Sequence, residues 1–313
     1  MTKIAVVGTG LIGRAWATVF AAAGYEVALF DAHPEATRAA KTFVARSLRE
    51  QEALGLVDDA RAGAGRVHVA MSLAEALKGV ALVQENGPET LEEKTKLFAE
   101  MDRIAPRNAI LASSTSFIPC SRFSEALAGR RRCLVAHPVN PPHLVPIVEL
   151  APAPWTDAAV VQRAKRIYER AGQVPIVLRR EVPGFVLNRL QAVLLAEAFR
   201  IVGSGVCSPQ DLDKTIRDGL GHRWSFMGPF ETIELNAPGG IPDYAARYGA
   251  SLERMASDTL MDDPFGPRTV DTIMGQWPGA QEKERIATLS RWRDRRLTAL
   301  KAHKRTAVRK PSL

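Results

Sequence analysis

Of the six histidines in the 313 residues, His137 has the setting in which an imidazole can move a proton. It directly follows the apolar run CLVA at 133–136, which reads as a strand, and open α/β sheets gather their ligands at strand ends. His33, His68, His143, His222 and His303 have no comparable placement. Twelve residues on, Glu149 lies inside the apolar run PIVEL at 146–150, where an unpaired carboxylate is costly to bury. A His–Glu pair would satisfy that carboxylate, fix the ring tautomer and raise the ring's basicity, giving a general base for a hydroxyl proton. The alternative is a structural histidine beside a glutamate that reaches solvent at an edge strand, and these two residues alone leave both open.

The elements that must position such a base begin at the N-terminus. The apolar run IAVV at 4–7 breaks into Gly8-Thr-Gly10-Leu11-Ile12-Gly13; a helical stretch follows to Gly24, then a second apolar run ending in Asp31. Strand, glycine turn, helix, strand and acidic stop form the grammar of a dinucleotide site. Gly8 suits the tight turn, Gly10 lets the backbone approach a pyrophosphate, and Gly13 lets the helix lie against the strand. Leu11 and Ile12 open a helix whose free N–H groups face the phosphates. Asp31 can accept bonds from a ribose 2′-hydroxyl and repels a 2′-phosphate, which favours NAD over NADP; its alternative role is to cap the helix starting near Pro34.

Strand and helix alternate up to Pro183-Gly184. Helices are predicted over 34–54, 73–78, 88–104 and 156–171, and strands over 66–71, 80–84, 109–112, 132–136, 147–150 and 174–178. The helix over 88–104 should turn Leu91, Thr95, Phe98 and Met101 inward. This predicts a Rossmann-type, doubly wound, mainly parallel sheet over residues 1–182. Residues 183–313 read as an all-α domain, with helices over 184–203, 208–219, 228–237, 241–260 and 281–303. The stretch 182–201 is apolar around most of its circumference and should be buried on several sides.

Composition excludes several classes of function. No stretch approaches the ~20 apolar residues of a membrane span, and the N-terminus is expected to enter the first strand without a signal peptide. Cys120, Cys133 and Cys207 form no CxxC pair; they suit a reducing cytoplasm and read as small buried hydrophobes rather than nucleophiles or metal ligands. The net charge of +8 lies wholly in residues 281–313, which hold 11 basic and three acidic side chains. That argues for a solvated basic helix end, with Trp292 and Leu300 on a docking face and residues 305–313 frayed, rather than for a nucleic-acid surface.

Several segments in the right order, HPVNPP from His137 with Glu149, PGFVLNRLQ from Pro183, ASSTS at 112–116 and GLGHRWSFMGPFET at 219–232, resemble the L-3-hydroxyacyl-CoA dehydrogenase family, most closely the branch that includes lambda-crystallin. The resemblance implies that His137 is the proton acceptor, Glu149 its orienting group, and Ser116 and Asn188 the donors to the substrate oxygen. It further implies that Glu89 and Lys94 contact the cofactor near the nicotinamide ribose. Simpler roles for Ser116, Asn188 and Glu89 are a helix cap, a loop contact and a first-turn carboxylate. Arg223, within GLGHR, matches an arginine of that branch and could hold a substrate carboxylate through two hydrogen bonds, unless it is a surface ion pair. The implied activity is NAD-dependent oxidation of the 3-hydroxyl of a short polar 3-hydroxy acid such as L-gulonate. A hydroxyacyl-CoA substrate and a non-catalytic NAD-binding structural protein are the alternatives. A homodimer through the helical domain is expected from the resemblance and from the apolar helix at its start.

Overall fold

The computed structural model describes residues 1–277 and 283–307. Eight strands form one sheet: β1 (Lys3–Val7), β2 (Glu26–Phe30), β3 (Val67–Val69), β4 (Val80–Glu85), β5 (Ile110–Ser113), β6 (Cys133–Pro138), β7 (Ile147–Pro152) and β8 (Val174–Val177). Their order is β3-β2-β1-β4-β5-β6-β7-β8. The chain therefore leaves β1 in one direction across the sheet and returns to its other side at β4. The carboxyl ends of β1 and β4 form the switch point at which such sheets bind ligands.

Helices α1 (Leu11–Ala22), α2 (Pro34–Glu52), α3 (Ala60–Gly65), α4 (Leu73–Leu77), α5 (Leu91–Ile104), α6 (Cys120–Ser124) and α7 (Ala158–Arg170) link the strands. Ile4 and Val6 pack with Trp16, Phe20, Val44 and Tyr168 in one core. Ala5 and Val7 pack with Phe98, Met101 and Phe123 in a second. Alternate residues of β1 thus serve opposite faces, as the pleat requires, and burial on both faces explains its continuous apolar run. Asp59, Ser72 and Thr90 cap α3, α4 and α5 by accepting the N–H of Ala62, Glu75 and Glu93. On α5 the inner face differs from the expected one: Thr95 is exposed and Lys94 is buried beside Phe98 and Met101.

The sheet is mainly parallel, as the alternating pattern predicts, with one exception. β6 and β7 are antiparallel, and their register sets His137 directly opposite Glu149. Cys120 and Cys133 are buried and Cys207 is half-buried. Burial, with Asp102 nearby, pushes the Cys133 thiol up to about 12, so it carries no thiolate at neutral pH. Among the described residues no helix is long and apolar enough to cross a membrane.

The chain separates into two compact units, Met1–Asn188 together with the chain from Thr288, and Arg189–Ala287. The sequence pattern predicts the boundary at 182/183 with the whole tail in the second domain, so the two divisions differ over residues 183–188 and from Thr288 onward. The second unit holds most of α8 (Leu187–Gly203), then α9 (Pro209–Lys214), a π-helical turn (Thr215–Leu220), α10 (Gly221–Trp224), α11 (Pro229–Glu234), α12 (Gly240–Ser257) and α13 (Pro267–Gln276). The expectation that 182–201 is buried on several sides does not hold for the single chain. Of the α8 residues only Val202 is buried, while Leu190 and Val193 are 66% and 73% exposed.

The last helix, α14 (Lys283–Thr306), enters the first unit at Thr288. Trp292 and Leu300 are exposed rather than docked; Thr298 is buried, Lys301 Nζ donates to the His143 carbonyl at 2.8 Å, and Arg305 donates to the Gly55 carbonyl at 2.5 Å. The expected fraying falls partly on residues 308–313, which lie outside the described residues.

This packing gives His143 a pH-dependent role in stability. The ring is 5% exposed, lies edge-on to Phe43, and has no partner on Nδ1. Burial lowers its pKa from 6.5 to about 4; Asp294 opposes the shift, while Lys301, Arg14 and Arg293 reinforce it. The unfolded chain then binds a proton that the folded chain refuses, so stability falls as the pH drops from 6.5 toward 4, by about 3 kcal/mol at the lower end. His143→Phe is expected to flatten that part of the curve in urea unfolding at pH 7.5 and pH 4.5. Parallel losses in the variant and the wild type would remove the assignment.

Candidate active site

At the end of β1 the three motif glycines have three different reasons. Gly8 has φ +84°, and a Cβ there would lie 2.6 Å from the Asn86 carbonyl oxygen, so it needs both the left-handed conformation and the missing side chain. A Cβ on Gly13 would fall 1.9 Å from the Gly8 carbonyl oxygen, which is the close packing of helix on strand. A Cβ on Gly10 would meet nothing. Gly10 also begins α1 without a side-chain cap, and helix geometry leaves the first amides, from Leu11 and Ile12 onward, without intrahelical acceptors. Asp31 stands beside this turn: its carboxylate accepts the Thr9 N–H at 2.6 Å, the Thr9 hydroxyl at 3.1 Å and the His33 N–H at 3.0 Å. The N-cap of α2 is His33, so Asp31 is not the cap.

Open space at Gly10, uncapped amides and a carboxylate at the end of β2 fit the pyrophosphate and ribose of NAD. Gly10→Ala is therefore expected to leave the melting temperature unchanged while weakening NAD binding about tenfold or more, which is about 1.4 kcal/mol. Unchanged affinity in a fluorescence titration would contradict this use of the turn.

At the end of β6, His137 Nδ1 lies 2.8 Å from Glu149 Oε2, with the two side chains 5% and 1% exposed. The other carboxylate oxygen, Oε1, accepts the N–H groups of Val186 at 2.9 Å and Leu187 at 3.1 Å. Burial alone would raise the Glu149 carboxyl, but the bonds from His137, Leu187 and Val186 outweigh it and hold the group below its ordinary value. An ionised carboxylate has no proton to give, so Nδ1 carries the hydrogen and Nε2 presents its lone pair. Among the described residues Nε2 has no protein partner. Phe185 covers one side of the ring, with 5.3 Å between centroids; it is fully buried and holds φ +52° after Gly184 at φ +74°.

Two residues after the Glu149-bound amide of Val186, Asn188 donates from Nδ2 to the Ser116 carbonyl at 3.0 Å. His137, Glu149, Asn188 and Ser116 are thus linked through one short stretch of backbone at the start of α8. The Ser116 hydroxyl itself has no protein partner among the described residues, and the N-cap of α6 is Pro119, so Ser116 is not a helix cap.

Glu89 and Lys94, to which the resemblance assigns contacts near the nicotinamide ribose, are bound to neighbouring protein groups. Lys94 is 1% exposed and pairs with Glu85 at 3.1 Å and Glu89 at 3.4 Å. Glu89 Oε1 accepts the Thr115 hydroxyl at 2.5 Å and the N–H groups of Ser116 at 2.9 Å and Phe117 at 3.2 Å. Glu85, fully buried at the end of β4, also takes the Ser113 hydroxyl at 2.5 Å and the Gly87 N–H at 2.6 Å. Removing one member of a buried pair of this kind typically costs about 3–5 kcal/mol. Glu85, Thr115 and Phe185 were missed in the sequence; a glutamate closing the apolar run VALVQ was the one available signal. Arg223 belongs to the second unit, in α10, where it is exposed and has no ion pair among the described residues.

A doubly wound sheet with a glycine turn at its switch point and a carboxylate at the end of β2 defines a dinucleotide-binding class of protein. The sequence matches the 3-hydroxyacyl-CoA dehydrogenase NAD binding domain over residues 3–182 and the 3-hydroxyacyl-CoA dehydrogenase C-terminal domain over 184–277. The chain belongs to the 3-hydroxyacyl-CoA dehydrogenase family, and acts as an NAD-dependent oxidoreductase on a CH–OH group. It is 42% identical to a lambda-crystallin homolog of Bos taurus, over 93% of this chain and 92% of that one. It is 37% identical to an L-carnitine dehydrogenase of Streptomyces griseus, over 94% and 87%. Among solved structures it resembles 5-formyl-3-hydroxy-2-methylpyridine 4-carboxylic acid 5-dehydrogenase, described as an NAD+-dependent dismutase, with a TM-score of 0.85 and 27% identity over 99% of this chain and 100% of that one.

Proposed function

We propose that this chain oxidises the 3-hydroxyl of a short polar 3-hydroxy acid, with L-gulonate as substrate and 3-dehydro-L-gulonate as product. The observation that carries the chemistry is the Glu149-bound His137, whose free Nε2 can accept a hydroxyl proton. Glu149 then faces the imidazolium across 2.8 Å and stabilises it. The free Ser116 hydroxyl and the remaining Asn188 amide hydrogen are the donors for the oxygen that becomes a carbonyl. NAD, when bound, supplies the hydride acceptor.

The preference for a free carboxylate rests on names and on one arginine. Carnitine and the pyridine carboxylic acid, named for two similar proteins, are small carboxylates. Arg223 has an unpaired guanidinium suited to bind one through two parallel hydrogen bonds. A hydroxyacyl-CoA is the second reading, favoured by the family description. NADH formation with L-gulonate, L-carnitine, 3-hydroxybutyrate and 3-hydroxybutyryl-CoA separates the two. The proposal expects the highest kcat/KM with L-gulonate, and a clear preference for the thioester would overturn it.

A homodimer is part of the same reading, supported by the outward-facing Leu190, Val193 and Leu195 of α8. A cytoplasmic location also belongs to it, on the three unpaired cysteines.

A further inference from the structure

We propose that Glu85 is a positioning residue which, through Lys94 and Glu89, fixes the backbone of the Thr115–Phe117 turn and so aims the Ser116 hydroxyl; this rests on the role given to Ser116 above.

The contacts run in one direction. Glu85 ends β4, next to the switch point, and its carboxylate holds Lys94 with both oxygens, at 3.1 and 3.2 Å. Lys94 reaches on to Glu89 Oε2, and Glu89 Oε1 gathers three donors from the turn that follows β5, namely the Thr115 hydroxyl and the amides of Ser116 and Phe117. Two of these three bonds go to backbone, including the amide of Ser116 itself. Glu85 also grips the other end of the same turn through the Ser113 hydroxyl, and Ser113 in turn accepts the Thr115 N–H at 3.2 Å.

The Glu89 oxygens are engaged by Lys94 and by these three donors, so the group holds the turn in the substrate-free protein. The cluster has the composition expected of a fixed scaffold: two carboxylates against one ammonium, Glu85 and Lys94 fully enclosed, and neutral donors that satisfy the remaining oxygens. Such a cluster is costly to disturb, and the turn it holds carries the Ser116 hydroxyl, which has no protein partner among the described residues. A misplacement of a catalytic donor by about 1 Å can cost roughly a hundredfold in rate.

The test compares Glu89→Ala, Ser116→Ala and the double variant, with Glu85→Gln and the charge-free pair Glu85→Gln/Lys94→Met as folding-tolerant probes of the inner residues. If Glu89 acts through Ser116, Glu89→Ala lowers kcat roughly 10- to 100-fold, leaves the KM for NAD nearly unchanged, and adds nothing once Ser116 is alanine. Hydrogen exchange of the substrate-free protein should show the Ser116 and Phe117 amides losing protection by about tenfold or more in Glu89→Ala, and by less in both Glu85 variants. A raised KM for NAD with kcat retained, additive losses in the double variant, or unchanged protection in the Glu85 variants would overturn the proposal. Full activity in Ser116→Ala would instead overturn the functional reading on which it rests.

Discussion

His137→Ala is expected to lower kcat by roughly 10²–10⁴-fold, the range typical of a lost general base, while NAD binding is kept. The ring stands at the end of β6, whereas the glycine turn and Asp31 belong to β1 and β2, so the cofactor contacts do not depend on it. In the alanine variant Val186 and Leu187 still donate to Glu149 Oε1, but Oε2 loses its donor. His137→Asn is the sharper control. Its amide can still donate to Glu149 and keep the strand pair and the start of α8 in place, yet it has no basic nitrogen. Both variants should lose turnover to the same extent; the asparagine variant should keep its melting temperature, while the alanine variant, which leaves Glu149 Oε2 buried without a donor, should melt lower. Turnover within a few-fold of wild type in the asparagine variant would end the case for a proton acceptor at this position.

The second large effect is expected at Gly13, where alanine should abolish measurable NAD binding, raising Kd by about a hundredfold or more, equivalent to about 2.7 kcal/mol. The atom that a methyl would strike, the Gly8 carbonyl oxygen at 1.9 Å, is backbone and cannot swing aside. Relief requires α1 to move away from β1, which displaces the amides that face the phosphates and strains Gly8, itself pressed against Asn86. Gly10→Ala is the internal comparison, because its methyl meets no protein atom. A Gly13→Ala protein that binds NAD as tightly as wild type would show that the turn is not the cofactor cradle.

Much of this was legible in the residues. The glycine spacing gave the turn its three roles, and burial cost alone argued that Glu149 needs a partner. The direction of β7 was less visible, because alternating strands and helices suggest parallel neighbours. The signal was present in the short link from Pro138 to Ile147, too short for a crossover helix, and an antiparallel return is what brings position 149 back to 137. The inner face of α5 was legible except at Thr95, which periodicity turns inward where Lys94 is found, because periodicity counts apolar residues and an inward ammonium is recognisable only once the carboxylates of β4 and the following loop are seen around it. The apolar length of α8 was read correctly as composition but not as burial: periodicity reports what a helix can cover, not whether its own chain covers it. Helix α13 was missed although Gly266 and Pro267 mark its start, because its mixed sequence has few large apolar side chains to set a period.

Proton acceptance by His137 depends on which ring nitrogen carries the hydrogen, and ¹⁵N NMR of the histidine-labelled protein, with the resonance assigned from the His137→Asn variant, reads it directly. The prediction is an Nδ1–H tautomer whose signal moves when Glu149 is changed to glutamine, with an unprotonated Nε2 that shifts on adding a 3-hydroxy acid. A proton on Nε2 with a bare Nδ1, insensitive to Glu149, would contradict it.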